Sequence, residues 1–233
     1  IRDEVENLSW PQTWQPVKTP LDQYACHHGI GYTTIKSKYN QISSQVRYFV
    51  PIGSTCEIWH LKISNHRSSR VNLDIFSFVE FCLWDALDDI LNLQRNLSIG
   101  EVEIDGRTIY HKSEYRERRN HFAYFSCSES LQGFETQRSI FTGRYGSLEE
   151  PQAVIRGISS NSICHGWAPI GSHHIHISFE PGQTRDIIFI LGYYENPQNT
   201  KFDKNNPQNI NKRFIQPIIN QYLDISYIKQ SFS

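Results

Sequence analysis

Val71-Asn72-Leu73-Asp74-Ile75-Phe76-Ser77-Phe78-Val79-Glu80-Phe81-Cys82-Leu83 is the stretch that decides the fold class. Val71, Leu73, Ile75, Val79, Phe81 and Leu83 share one parity, while Asn72, Asp74 and Glu80 take the other. Successive side chains of an extended chain point to opposite faces, so this alternation reads as a long strand with one buried face. Upstream, Ile42, Val46, Tyr48 and Val50 alternate with Ser43, Gln45, Arg47 and Phe49 until Pro51 closes the run. Lys38-Tyr39-Asn40-Gln41 lies between two such runs and predicts a hairpin connection, since Asn tolerates turn geometry. Further strands are predicted at Thr108 to Tyr115, His121 to Cys127, His174 to Phe179 and Asp186 to Tyr193. Glu180-Pro181-Gly182-Gln183 joins the last two, and its Pro-Gly turn predicts that they pair as an antiparallel hairpin. Helical spacing is confined to Leu87, Leu91 and Arg95 and to a terminal stripe of Ile218, Ile219, Tyr222, Ile225 and Ile228.

Many strands with turn signals and few crossover helices predict an all-β, two-sheet antiparallel sandwich. Its span is expected to be residues 1–195, followed by a polar loop over 196–213 and the start of a helical linker over 214–233. The chain opens on Ile1 without Met and stops at Ser233 without a helix cap, so both ends are expected to continue in a longer protein.

Composition narrows the partners. Of 233 residues, 23 are Lys or Arg and 24 are Asp or Glu, so no large field steers the chain to nucleic acid or an acidic membrane. No apolar run approaches the roughly 20 residues that span a bilayer, and no signal peptide is recognisable, which predicts a cytoplasmic protein. Aromatic residues make up 13% of the chain, which suits sheet cores and sugar faces alike. Cys26, Cys56, Cys82, Cys127 and Cys164 are odd in number and irregularly spaced, so buried free thiols are expected.

Four constellations could carry chemistry. His165, His173, His174 and His176 form the densest imidazole group, yet no third ligand has metal-site spacing, and Cys26-His27-His28 is as sparse. No metal is expected. Glu80, Asp85, Asp88 and Asp89 supply carboxylates of the kind glycoside chemistry needs, but Asp88 and Asp89 are adjacent and would point apart on a helix. Tyr115-Arg116-Glu117-Arg118-Arg119 reads as a salt-bridged surface run or as a phosphate-binding patch. No Gly-rich phosphate loop or Ser-His-Asp elbow is present, so the residues alone identify no catalytic set.

Particular segments say more. Phe76-Ser-Phe-Val-Glu-Phe-Cys-Leu-Trp84, Gln94-Arg95-Asn96 through Glu103, and Ile109-Tyr-His-Lys-Ser-Glu-Tyr-Arg-Glu-Arg-Arg119 resemble the N-terminal domain of cellobiose phosphorylases. Trp14 to Lys18, His28 to Tyr32, Phe49 to Pro51, Phe134 to Arg138, His165 to His173 and Ile190 to Asn196 extend the resemblance collinearly. That resemblance implies a galactose-mutarotase-like super-sandwich, followed in the family by a helical linker and an (α/α)6 catalytic barrel that this chain does not include. It implies inverting phosphorolysis of cellobiose, or a related β-glucoside, to α-glucose 1-phosphate and glucose. Inorganic phosphate is the co-substrate, no cofactor is needed, and the general acid belongs to the barrel. It also implies a homodimer in which a Gln-Arg pair, here Gln94 and Arg95, reaches substrate in the partner subunit's site. Amide and guanidinium donors suit sugar hydroxyls and phosphate. Arg95 has a second reading, an ion pair with Asp88 or Asp89. A stand-alone carbohydrate-binding module and a mutarotase-like epimerase are the alternative functions.

Overall fold

The computed structural model describes residues 1–81, 100–113, 120–166 and 168–230. In order these carry β1 (Arg2–Asp3), β2 (Leu8–Ser9), β3 (Gln23–Gly29), β4 (Tyr32–Tyr39), β5 (Ile42–Phe49), β6 (Cys56–Asn65), β7 (Val71–Phe76) and β8 (Val79–Glu80). There follow β9 (Gly100–Asp105), β10 (Thr108–Ser113), β11 (His121–Cys127), β12 (Gly133–Gln137), α1 (Arg138–Thr142), α2 (Gln152–Arg156), β13 (Pro169–Phe179), β14 (Thr184–Glu195), α3 (Gln216–Leu223) and α4 (Ile225–Gln230). An eight-stranded sheet is ordered β3-β4-β5-β6-β14-β11-β10-β9, and a six-stranded sheet is ordered β12-β13-β7-β1-β2 with β8 also on β13. Every ladder is antiparallel. This is the two-sheet all-β sandwich that the alternation predicts.

The period-two residues meet where the sheets face each other. Val71, Leu73 and Ile75 of β7 and Ile175 and Ile177 of β13 pack on Val46, Leu61, Ile63, Ile187 and Phe189 of the large sheet. Burying each such side chain stabilises the fold by about 1.5–3 kcal/mol. The long run from Val71 is nicked between β7 and β8, although the register against β13 continues unshifted from Phe76↔His174 to Val79↔Gly171. The cause is Ser77: its Oγ accepts the His173 backbone N–H at 2.9 Å, so a side chain stands where a ladder carbonyl would. The predicted β4–β5 connection is a two-residue turn with positive φ at Asn40 (48°) and Gln41 (61°), the backbone twist that matches a hairpin.

The hairpin expected between His174–Phe179 and Asp186–Tyr193 does not form. β13 pairs with β7, β8 and β12 in the small sheet, whereas β14 pairs with β6 and β11 in the large one. The Pro181-Gly182 turn arches from one sheet to the other. A second arch runs from β6 to β7, and Asn65, 0% exposed, ties the two together. Its Nδ2 donates to the carbonyls of Ser69 (2.9 Å), Phe179 (3.2 Å) and Glu180 (3.2 Å), and its backbone pairs with Gly182 and Gln183. Arching is enforced because β14 is apolar on both faces: Ile187 and Phe189 enter the inter-sheet core, while Ile188 and Ile190 face outward.

That outer face is covered by the C-terminal segment. Ile210, Ile215, Ile219, Leu223 and Ile228 pack on Ile58, Tyr110, Phe122, Tyr124, Ile188 and Ile190. The helical stripe is divided at Asp224, whose extended backbone separates α3 from α4. The polar stretch before it is anchored as well: Asn196 is buried and donates to the carbonyls of Lys201 (3.1 Å) and Asn211 (3.0 Å). No helix among the described residues is long and apolar enough to cross a membrane.

Candidate functional site

Gln94 and Arg95, with Asp85, Asp88 and Asp89, fall within 82–99, and the Tyr115–Arg119 run falls within 114–119; all lie outside the described residues. The described flanks locate the first segment in the topology. Phe81 follows β8 in the small sheet and Gly100 opens β9 at the far edge of the large one, so 82–99 connects the two sheets. Phe81 stacks on His111 with ring centroids 5.0 Å apart.

Of the histidines that cluster in sequence, only His174 and His176 stay together in space. His174 and His176 lie on the outward side of β13 and flank Asp74 of β7, with His174 Nε2 and His176 Nδ1 at 3.2 and 3.0 Å from Asp74 Oδ1. Arg2 donates to Asp74 Oδ2 at 2.9 Å. Burial alone would push the Asp74 carboxyl up; the hydrogen bonds from His174, His176 and Arg2 outweigh it and hold the group at about 2. His173 points the other way, into the core, where Phe125 lies 4.6 Å from its ring and Ser77 Oγ 3.0 Å from Nδ1. Burial drives its pKa down to about 3, so it is a neutral core residue. His165 is exposed and bridges by backbone to Glu101.

The cysteines divide similarly. Cys56, Cys127 and Cys164 are buried and free, and burial raises all three thiols, that of Cys127 to about 12. Cys26 departs from the expectation of burial. It is exposed because β3 is an edge strand, and its Sγ lies 3.6 Å from His28 Nε2.

A glycosidic general acid must keep its proton near neutral pH, which requires a raised carboxyl pKa. The enclosed carboxylates seen here have their oxygens occupied by hydrogen-bond donors. Asp3 accepts the Arg67 guanidinium at 2.8 Å and the backbone N–H groups of Val5 and Glu6. Glu135 accepts hydroxyl and backbone N–H groups from Ser160 and Ser162. Asp186, bound by Lys229 and His60, is also held below the usual range, although burial opposes this. In Asp186, as in Asp74, hydrogen bonds to the carboxylate favour the charged form.

What the described residues do offer is a cleft of about 310 Å³ at the mouth between the sheets, lined by Trp10, Tyr48, Trp59, Phe76, Phe141 and Val154 among others. It opens where β1, which pairs with β7 only at Leu73 and Asp74, leaves the rest of that strand uncovered. Trp59 Nε1 donates to Glu57 at 2.6 Å, and the Trp10 indole N–H is buried without a partner among the described residues. Burial first, then the nearby Glu57 and Tyr24, pushes the Tyr48 hydroxyl up to about 12, so it remains a donor. Flat rings with few polar groups suit a small ligand's apolar face but supply no acid or base. The aromatic content left sheet core and sugar face open as roles, and no local pattern singles out these residues as the lining of one cleft.

Comparison with known proteins identifies the family. The profile of the glycosyl hydrolase 94 supersandwich domain matches residues 1–224. The N,N'-diacetylchitobiose phosphorylase of Vibrio proteolyticus is 32% identical over 195 residues, 82% of this chain and 24% of that protein. The solabiose phosphorylase of Paenibacillus borealis is 29% identical over 184 residues, 78% of this chain and 24% of its own length. Among solved structures, a putative kojibiose phosphorylase from human microbiome aligns with a TM-score of 0.43 at 10% identity, over 87% of this chain and 22% of that one. The chain spans about a quarter of the length of the curated relatives it matches.

Proposed function

Because the chain belongs to the glycosyl hydrolase 94 supersandwich-domain family, we propose that it is the sandwich domain of an inverting disaccharide phosphorylase. The observation that carries this reading is the similarity to curated disaccharide phosphorylases over about four fifths of the chain. The substrates are inorganic phosphate and cellobiose or a related β-glucoside, and the products are α-glucose 1-phosphate and a free sugar. In the reaction, a protonated carboxylic acid donates to the glycosidic oxygen while phosphate attacks the anomeric carbon from the opposite face. The lowered pKa of Asp74 supports an acid supplied from elsewhere in the protein. No cofactor takes part.

The domain's own contribution is structural: it forms part of a cytoplasmic homodimer and lends Gln94 and Arg95 to the partner's substrate. The test is phosphorolysis by the whole gene product with cellobiose, N,N'-diacetylchitobiose and solabiose, scoring the anomer of the sugar 1-phosphate. Release of an α-1-phosphate from at least one of them is expected, with cellobiose preferred. Arg95→Ala should raise KM or lower kcat/KM and leave the melting temperature unchanged. Failure to release any sugar phosphate, or phosphorolysis by this chain on its own, would overturn the reading.

A further inference from the structure

Beside the small sheet lies a group of three arginines, only one of which is ion-paired among the described residues. α1, α2 and the turn between them line an open cleft that brings together Arg138, Arg144 and Arg156 with Gln137, Ser139 and Gln152. No carboxylate is among the lining residues, in a chain whose formal net charge is −1. Arg138 is held by Glu80 at 2.8 Å. Arg144 lies over the exposed Tyr145 ring, 5.7 Å from its centroid, and Arg156 ends α2 in solvent. Neither of these two forms an ion pair among the described residues.

The turn that presents Arg144 is tightly closed, since a Cβ on Gly146 would lie 2.1 Å from the Thr142 carbonyl oxygen. A concave surface lined by one sign of charge concentrates the opposite ion. Guanidinium forks match the oxygens of phosphate, and amides and a hydroxyl beside them suit sugar hydroxyls.

We propose that this cleft is a phosphate-binding site, taking inorganic phosphate or the phosphate carried by a sugar. The anion site follows from the arginines alone; the preference for phosphate over other anions rests on the phosphorylase reading. The chain is titrated calorimetrically at low ionic strength with inorganic phosphate, α-glucose 1-phosphate, glucose and a glutamate-rich peptide. The two phosphate compounds should bind saturably and glucose should not.

Arg144→Gln combined with Arg156→Gln, both at exposed positions, should weaken that binding by about tenfold or more while the circular dichroism spectrum is unchanged. Tighter binding of the sugar phosphate assigns the site to a phosphorylated sugar; equal binding assigns it to inorganic phosphate. Three results would each overturn the proposal: no saturable binding of either anion, binding indifferent to the double substitution, or binding of the acidic peptide alone. Phosphorolysis by the whole gene product is scored separately, so loss of the phosphorylase reading and loss of this site give different outcomes.

Discussion

Two imidazoles, His111 and His173, are fully enclosed, and burial drives the pKa of each down to about 3. Neither ring nitrogen of His111 has a partner among the described residues. The unfolded chain takes up protons at these histidines near pH 6.5 while the folded chain does not, so stability is full above that pH and falls as pH drops toward 3. The expected loss is about 1.4 kcal/mol per pH unit for each group, or about 3 for the pair, between roughly pH 6 and pH 4. His111→Phe, which keeps a ring against Phe81, should roughly halve that slope. Urea midpoints at several pH values measure it, and an unchanged slope would sink the account. Asp74 works lower on the scale: its depressed carboxyl contributes stability that is present above about pH 4 and lost as pH falls through about 2. The sequence marks His173 as one of a cluster, but one residue of parity separates a core ring from the two that flank Asp74.

At the level of elements, the two arches that cross between the sheets depend on Asn65. Asn65→Ala would strip three carbonyls of their donor, that of Phe179 in a fully buried bond. A cost of about 2–4 kcal/mol is expected, at the high end for a lost buried network, read as a lower urea midpoint with an unchanged m-value. The C-terminal cover is a second such element. Ile219 is 1% exposed against β14, and Ile219→Ala should cost about 2–4 kcal/mol by leaving a cavity over Ile188 and Ile190. The turn chemistry of Pro181-Gly182 is readable from the sequence, but its consequence is not. A tight turn reverses the chain equally well within a sheet or between sheets, and β13 and β14 find partners about a hundred residues or more upstream at β7 and β6.

For the whole molecule, the arrangement of charge separates scaffold from chemistry. If the proposed scaffold role holds, Asp74→Asn and Glu135→Gln in the complete protein should lower the melting temperature yet leave both limbs of the pH–rate profile in place. A lost limb in either variant would reassign the acid to this domain. Period-two alternation was sufficient to determine an antiparallel all-β sandwich, because the parity of apolar residues is a local property of extended chain. Segment resemblance was sufficient to determine the family. Only the tertiary structure decided which strands share a sheet, which face of β14 meets the helices, and that Arg138, Arg144 and Arg156 line one cleft. Those relations join residues far apart in sequence, and long-range pairing is settled by the burial of whole faces against each other, which no local pattern encodes.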